Sequence, residues 1–456
     1  MTGLARSDTL LRRIAANGGW WLAERVGLVL LTLVTSIVVV RSLGAAAYGE
    51  LSYVLALAGL LAPLAQFGVS GLVARALVES PADERGVLRG AMLMRAAGCA
   101  VAFVLGAVYW TVLEDRAHER WVLLVLLAAQ FATVTQVAEF WFQVRFKAAA
   151  LVPWRTGAAI TAALLKIAVA ATTGDPRLVA CVFALEYVLQ SIAVWLAWRR
   201  VGAGAASAGQ GSTVEWVRWF ATRSPWLLAS GLAEVIYLRI DIVLLERLRG
   251  AEEAGIYAVA ARLSEAWYMV PVALMAAVFP ALLSKRSDAA AYRRSLQSSL
   301  DALFAIALAL AVFMQLFGRP LVEWLFGMEF TRSVPVLQIH VWAGVFIFMR
   351  ALLSRWLLAE DLLRFSLVTH LSGALMNVAL NLLLIPRYGA VGAAVATVVS
   401  YACASWLALF FSARTRPMGL MMARTLLLPF RWSELREYAR RLRAEVRADR
   451  GEPGSQ

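Results

Sequence analysis

Residues 41–49 read RSLGAAAYG, and residues 247–255 read RLRGAEEAG. Arg41, Gly44, Ala45 and Gly49 fall on Arg247, Gly250, Ala251 and Gly255 at a constant offset of 206. A glycine in a tight turn, closed by a second glycine that opens the next helix, is a physical reason for this spacing. Each segment directly follows a long apolar run, so the chain is expected to be built from two halves that share one pattern. Pro176-Arg177 and Pro386-Arg387 echo the same division at an offset of 210.

The composition says what the halves are made of. Of 456 residues, 61% are hydrophobic and 16% charged, against roughly half and a quarter in a soluble globular chain. At about 20 apolar residues per crossing, the length accommodates roughly a dozen transmembrane helices and little else. Twelve runs qualify: 19–40, 51–73, 90–113, 121–144, 151–172, 178–198, 225–246, 255–284, 297–318, 333–358, 365–386 and 391–412. The first lacks a small-residue cleavage pattern and is expected to be a retained helix and not a signal peptide. The fold class is therefore all-α and polytopic, with about twelve transmembrane helices in two six-helix lobes. Residues 1–198 form the first lobe, 199–224 a linker, 225–412 the second lobe and 413–456 a basic tail.

The charge supports a membrane setting. A net charge of +14 is carried by 44 lysines and arginines, which are scattered over short loops and helix ends, so no nucleic-acid partner is implied. These bases concentrate on the side of the amino terminus, the linker and the tail. The positive-inside rule then places both termini in the cytoplasm. Cys99, Cys181 and Cys403 all lie in apolar segments, and their odd number argues against structural disulfides.

Catalytic signatures are missing. The only lysines are Lys147, Lys166 and Lys285, none preceded by glycine, so there is no phosphate-binding loop. The chain has no HExxH zinc motif, no Asp-x-Asp pair for a glycosyltransferase metal and no GxSxG elbow. An enzyme, a metal site and a cofactor are not expected. His340 and His370 lie within spans and are read as packing or hydrogen-bonding residues, with protonatable gates as the alternative.

Three segments carry a family resemblance: VVVRSLGAAAYGELSY (38–53), YLRIDIVLLERLRGAEEAGIYAVAARLSEAWYMVPVALMAAVFPAL (237–282) and NVALNLLLIPRYGAVGAAVATVVSY (377–401). In order and spacing they resemble the polysaccharide-transport branch, the Wzx-type flippases, of the multidrug/oligosaccharidyl-lipid/polysaccharide exporter superfamily, over about residues 15–412. The resemblance implies two lobes around a central cavity. It also implies that a polyprenyl-pyrophosphate-linked oligosaccharide is carried across the bacterial inner membrane by alternating access, for O-antigen, capsule or exopolysaccharide synthesis. Membrane lipid is an implied partner, as is a polysaccharide polymerase or glycosyltransferase. The alternatives are a lipid II flippase, a cation-coupled multidrug exporter of the same superfamily, and a non-transporting scaffold for polysaccharide synthesis.

Ionisable residues inside the apolar runs are the candidate site. A base costs about 3 kcal/mol at the centre of a lipid-facing helix, so such residues must face protein or water, or snorkel to the headgroups. Arg75, Arg95, Arg155 and Arg355 lie near the inner boundary and are expected to snorkel. Arg25, Lys166, Arg239, Arg262 and Arg350 remain as substrate-binding candidates. Arg239 sits roughly 21 Å into its span at 1.5 Å per residue, with Lys166 at similar depth. Bases at several depths suit a pyrophosphate handed between arginine forks. Among the acids Glu24, Glu139, Glu186, Glu234, Asp241, Glu265 and Asp301, Glu24 and Asp241 are candidates for ion coupling. The spacing of three lets Arg262 pair with Glu265 along one helix, whereas Arg239 and Asp241, two apart, cannot share a face. Asn377 and Asn381 are one turn apart, as interhelical glue or as cavity lining.

Beyond the last span, residues 418–430 are too short to cross and are expected along the interface. Residues 431–450 repeat apolar positions in steps of three and four, the pattern of a basic amphipathic helix that adheres to anionic lipid.

Overall fold

The computed structural model describes residues 2–112, 120–202 and 212–431. Among these residues every regular element is helical. The helix Thr2–Gln66 has 65 residues, which at 1.5 Å each is roughly three times the ~30 Å of a bilayer core. Gly44 breaks it with φ 75° and ψ 176°, giving two crossings, 2–43 and 45–66. Leu363–Ser405 is broken likewise at Gly389, φ 55° and ψ −134°, into 363–388 and 390–405.

Eight helical segments among the described residues are long and apolar enough to cross a membrane, and the bent pair Met328–His340 and Ala343–Ala359, at 46°, makes a ninth. Division at Gly44 and Gly389 accounts for two more crossings. Thr213–Arg249 supplies the twelfth helix. It is too charged to qualify by composition, which fits its place in the middle of the bundle, where it packs on helices of both halves. The twelve-span architecture read from hydropathy is thus the observed one.

One boundary moves. Thr213–Arg249 starts twelve residues before the expected position, so 213–224 is helix and not linker. Its start is a capping box in which the Ser212 hydroxyl accepts from the Val214 N–H and the Glu215 side chain returns to the Ser212 N–H. This Ser-x-x-Glu signal precedes the apolar run and was hidden by the charged turns after it. Most of the Gly/Ala-rich linker, 203–211, lies outside the described residues.

Four spans are interrupted. The fourth passes from Arg120–Gln130 through a 3-10 segment, Phe131–Val137, to Ala138–Val144, and the eighth from Ala251–Glu265 through Ala266–Tyr268 to Met269–Leu283. The second is interrupted before Ser70–Glu79, and the tenth between Ser333–His340 and Ala343–Ala359. At membrane depth such breaks are tolerated where protein or a wet cavity covers the backbone.

The largest apolar cluster joins the halves on the face bearing Gly44, Gly250 and Gly389, here the far face; it packs Tyr48 and Leu51 with Tyr257, Val259 and Ile385. A second cluster packs Trp141 and Phe142 of the first half with Phe220 of the seventh span on the opposite, near face. There the Trp216 indole donates to Asp83 at 2.6 Å, tying the start of the seventh span to the first half. The ninth span, Ala289–Phe326, is capped by Asp288, whose carboxylate accepts from the Ala290 and Ala291 N–H groups at 2.9 and 3.0 Å. Those two backbone donors hold its carboxyl below the usual carboxylate range.

The segment after the last span is docked and not merely interfacial. Arg416–Leu426 buries Met418 and Met422, the Trp406 indole donates to the Gly419 carbonyl at 3.1 Å, and the Thr425 hydroxyl donates to Asp301 at 2.6 Å. Asp301 is thereby explained as an anchor for this helix. Leu420, Leu427 and Phe430 stay exposed on its other side. Of the basic amphipathic segment at 431–450, all but Arg431 lies outside the described residues. Cys99 and Cys403 are buried and all three cysteines are free thiols.

Candidate functional site: a two-compartment cavity between the halves

The repeated glycine segments meet. Gly44 and Gly250 take nearly the same backbone conformation, φ 75° and 93° with ψ 176° and 173°, so both turns leave their helices alike. Gly49 and Gly255 do something different from closing a turn. A Cβ on Gly49 would stand 1.7 Å from the Ala251 carbonyl oxygen, and one on Gly255 would stand 2.0 Å from that of Ala45. The second glycine of each repeat therefore lets the two halves touch, backbone to backbone. The Ala45 N–H also donates to Glu329 of the other half at 2.8 Å, and Arg247 donates to the Tyr109 hydroxyl at 2.7 Å. The far face is shut.

Below this junction lies a cavity of about 280 Å³, walled by the first, second, fifth to eighth spans and including Lys166, Glu186, Arg239 and Glu265. A wider one of about 830 Å³ extends toward the near face along Trp21, Glu24, Arg25, Glu139 and Arg155. Leu28, Thr32, Arg262 and Glu265 line both, so the two are compartments of one space.

Four of the five candidate bases converge here. Lys166, only 6% exposed, pairs with Glu186, and its ammonium stands 3.7 Å from the Phe183 ring centroid. Glu186 follows Lys166 by twenty residues because the fifth and sixth spans, Ala148–Thr173 and Pro176–Ala197, form an antiparallel hairpin. Arg239 reaches Glu265 of the eighth span, with Nη1 3.5 Å from Oε2. The expected pair within one helix, Arg262 with Glu265, is therefore replaced by one between helices. Arg25 and Arg262 have no hydrogen bond or ion pair with any described residue. Both arginines line the wider compartment.

Arg350 is placed elsewhere. It is buried in the second half, where Nη1 donates to the Ala404 carbonyl at 2.8 Å and Nη2 lies 3.2 Å from the Thr369 hydroxyl and 2.9 Å from His370 Nε2. His370 in turn meets the Tyr237 hydroxyl at 3.1 Å. The arginine is a core hydrogen-bonding centre; a wall of the cavity it is not. His340 is buried edge-on to Tyr257, with centroids 5.7 Å apart.

Arg155 and Arg95 do not snorkel. Arg155 donates to Glu139 at 2.8 Å and stands 3.2 Å from Glu24, so one guanidinium is shared by two carboxylates. The Arg95 Nε is buried without a hydrogen bond. Arg75 is exposed and pairs with Glu79 one turn on, and Arg355 is exposed.

Asp241 is buried within the second half. One carboxylate oxygen accepts from Tyr257 and Thr397, each at 2.6 Å, and the other accepts from Asn381. Asn381 also donates to Asn377 at 2.9 Å, so the two asparagines glue the seventh and eleventh spans instead of lining the cavity. No cluster of three His, Cys, Asp or Glu suited to a metal occurs among the described residues. Glu186, Glu265 and Glu329 are the functional-site residues that sequence reasoning did not assign.

The family model described as polysaccharide biosynthesis protein matches residues 14–285. No curated protein matches the chain by sequence. Among solved structures, the lipid II flippase MurJ in an inward closed conformation is similar at 14% identity and TM-score 0.67, covering 90% of this chain and 92% of its own. An inward-facing multidrug resistance MATE transporter of the MOP superfamily is similar at 14% identity and TM-score 0.63, over 87% and 96%. The Vibrio cholerae MATE transporter VcmN, in a mutant form, gives 13% identity and TM-score 0.56 over 87% and 96%. At these identities the likeness is one of fold.

Proposed function

From the premise that this chain belongs to the polysaccharide biosynthesis protein family, we propose that it is a flippase for polyprenyl-pyrophosphate-linked oligosaccharides, and not an enzyme. It works in the bacterial inner membrane with both termini in the cytoplasm, and delivers its cargo to polysaccharide synthesis by alternating access of lobes 1–198 and 225–412. The carrying observation is the position of Arg25 and Arg262. Two guanidinium groups without carboxylate partners line the wider compartment, Arg25 exposed on the first span and Arg262 half-buried on the eighth. Two unpaired cations beside one cavity attract an anion, and arginine forks match phosphate oxygens bidentately.

Separation of the halves at Gly49 and Gly255 would open the far face, which is periplasmic in this reading. Asp241 is assigned the coupling ion. Its oxygen-rich surroundings, with Thr397, Asn377 and the unpartnered Asn381 Oδ1, suit a small hard cation or a proton. An ion bound there biases the lobes only if it binds the two states unequally. Glu24 is not assigned this role, because the Arg155 guanidinium stands 3.2 Å from its carboxylate and competes with a cation there.

The test is flipping of a fluorescent lipid-linked saccharide in reconstituted vesicles. The double variant R25A/R262A is expected to reduce transport more than a hundredfold, as loss of charge-assisted bonds of about 1.5–3 kcal/mol each would give. Transport by R25A/R262A at the parental rate would refute the reading, and absence of transport by the parent would favour a scaffold.

A further inference from the structure

The near-face end of the fifth and sixth spans gathers three bases that no carboxylate of the described residues neutralises. The fifth span begins at Ala148, directly after Lys147, and the sixth, Pro176–Ala197, runs on through a π-helical turn, Trp198–Gly202. The Lys147 ammonium stands 4.7 Å from the Trp141 ring centroid, and the Trp141 and Trp198 rings meet edge to face at 5.1 Å. The Arg199 guanidinium lies over Trp195 of its own helix at 4.7 Å, and that of Arg200 over Trp154 of the fifth span at 4.6 Å. These contacts bring Lys147, Arg199 and Arg200 to one end of one hairpin.

Their hydrogen-bond donors are unspent. Arg145, two residues before Lys147, is paired with Glu84, but among the described residues the side chains of Lys147, Arg199 and Arg200 make neither a hydrogen bond nor an ion pair. Residues 201–212, VGAGAASAGQGS, follow without an acid. A ring face attracts a cation through its quadrupole and takes none of its N–H groups. The indoles therefore position the three cations and leave them free to bind phosphate oxygens.

What lies beneath the bases separates a lipid from a soluble anion. Leu185, Ile192 and Trp195 are exposed. They stand seven and then three residues apart, with Arg199 four further on, so one stripe of the sixth helix carries all four. A free phosphate gains nothing from the apolar part of that stripe, whereas a phospholipid, with acyl chains below an anionic headgroup, matches the whole of it. Tryptophans beside the bases mark the headgroup level.

We propose that the near-face end of this hairpin is a binding site for an anionic phospholipid. Lys147, Arg199 and Arg200 hold its phosphate, and its chains lie along Trp195 and Ile192 toward Leu185. Three bases suit a headgroup with two phosphates better than one with a single phosphate. The site lies outside the cavity and does not depend on what the cavity carries. Its occupant bears on the cavity all the same. The Asn17 side chain accepts from the Ala148 N–H at 2.9 Å, tying the first span to this hairpin, and the hairpin carries Lys166 and Glu186 deeper in. A lipid bound here steadies one wall of the cavity.

Lipid binding to the delipidated full chain in detergent, followed by native mass spectrometry, tests the site with cardiolipin, phosphatidylglycerol and phosphatidylethanolamine as probes. The parent is expected to bind cardiolipin most tightly and phosphatidylethanolamine least. K147Q/R199Q/R200Q should weaken binding of the first cardiolipin by about tenfold or more, as loss of charge-assisted bonds predicts. K285Q/R293Q/R294Q, which removes three exposed bases beside the near-face start of the ninth span, should leave it nearly unchanged. W154L keeps every charge but unseats Arg200, and should weaken cardiolipin by about threefold. R200Q alone, with a smaller loss in the same direction, serves where the triple variant does not fold. Undiminished cardiolipin binding in K147Q/R199Q/R200Q overturns the site, and so does equal weakening by the two triple variants, which would mean diffuse attraction to a basic face. Displacement of cardiolipin by millimolar inorganic phosphate would make this a free-anion site, and displacement by an equal concentration of farnesyl pyrophosphate a waiting site for cargo; either result overturns the phospholipid assignment.

Discussion

Gly49 and Gly255, 206 residues apart, face each other so closely that a Cβ on the first would stand 2.9 Å from the amide nitrogen of the second, and the reverse distance is 3.1 Å. Glycine is needed here by reason of approach and not of backbone angle, because neither residue has a positive φ. Equivalent positions of the two repeats thus touch across the pseudo-symmetry relation that their sequences announced. In the flippase reading proposed above, opening the far face must separate this contact.

A side chain at either glycine should therefore hold the far face open. In G49L and G255L, spin labels at positions 43 and 248 are expected to report a longer and broader distance than in the parent, and transport should be lost. The parental distance in both variants would show that this junction does not govern closure. E329A removes the carboxylate that accepts from the Ala45 N–H and should shift the distance in the same direction by a smaller amount. E253A, whose carboxylate accepts from the Ala390 N–H within one half at 2.9 Å, should leave it unchanged.

The Lys166–Glu186 pair should show the asymmetry of buried ions. Removing one partner strands the other, so K166M and E186L singly are each expected to lower stability by about 2–3 kcal/mol, less than for a fully buried pair because Glu186 remains partly accessible. The double variant should recover most of that loss. Chemical unfolding in detergent measures it, and additive losses in the double variant would mean that the two side chains do not depend on each other.

Membrane potential should drive outward transport. A pyrophosphate with about two negative charges gains roughly 4.6 kcal/mol per 100 mV on leaving an inside-negative compartment, at about 2.3 kcal/mol per charge. Bases lining the two compartments exceed acids by one, so the return of the empty protein to the inward-open state is weakly favoured by the same field. Flipping under a valinomycin-clamped potassium potential should rise with inside-negative voltage. A rate that follows a pH gradient and ignores voltage would point to proton coupling instead.

Topology is directly accessible. A cysteine at position 212 should react with an impermeant maleimide only from the cytoplasmic side, and one at position 250 only from outside. The reverse pattern would invert the bundle and, with it, the direction assigned to the cavity.

Much of this architecture was legible in the sequence. Apolar runs are local, and the cost of exposing backbone in lipid forces each to become a helix, so the number of crossings follows from hydropathy alone. Thr213–Arg249 shows where that reasoning weakens. Its charges make it the least apolar span, and the bundle shelters them from lipid.

The candidate bases were legible for a similar reason: an arginine within an apolar run is conspicuous whatever surrounds it. Their roles were not. Arg350 and Arg262 look alike in sequence, yet the first is spent on the Ala404 carbonyl and His370, while the second projects into the cavity.

Sequence by itself determined the helical class, the twofold repeat and the presence of charge within the membrane, because composition and short-range spacing carry these properties. Only the tertiary structure decided which charges neutralise one another. Arg239 turned to Glu265 on the next helix rather than to Asp241 on its own, Glu186 came to Lys166 across a hairpin, and Glu329 reached Ala45 from 284 residues away. Such pairings depend on the rotation and depth of one helix against another. Those are set by the packing of whole surfaces, of which no single segment holds a record.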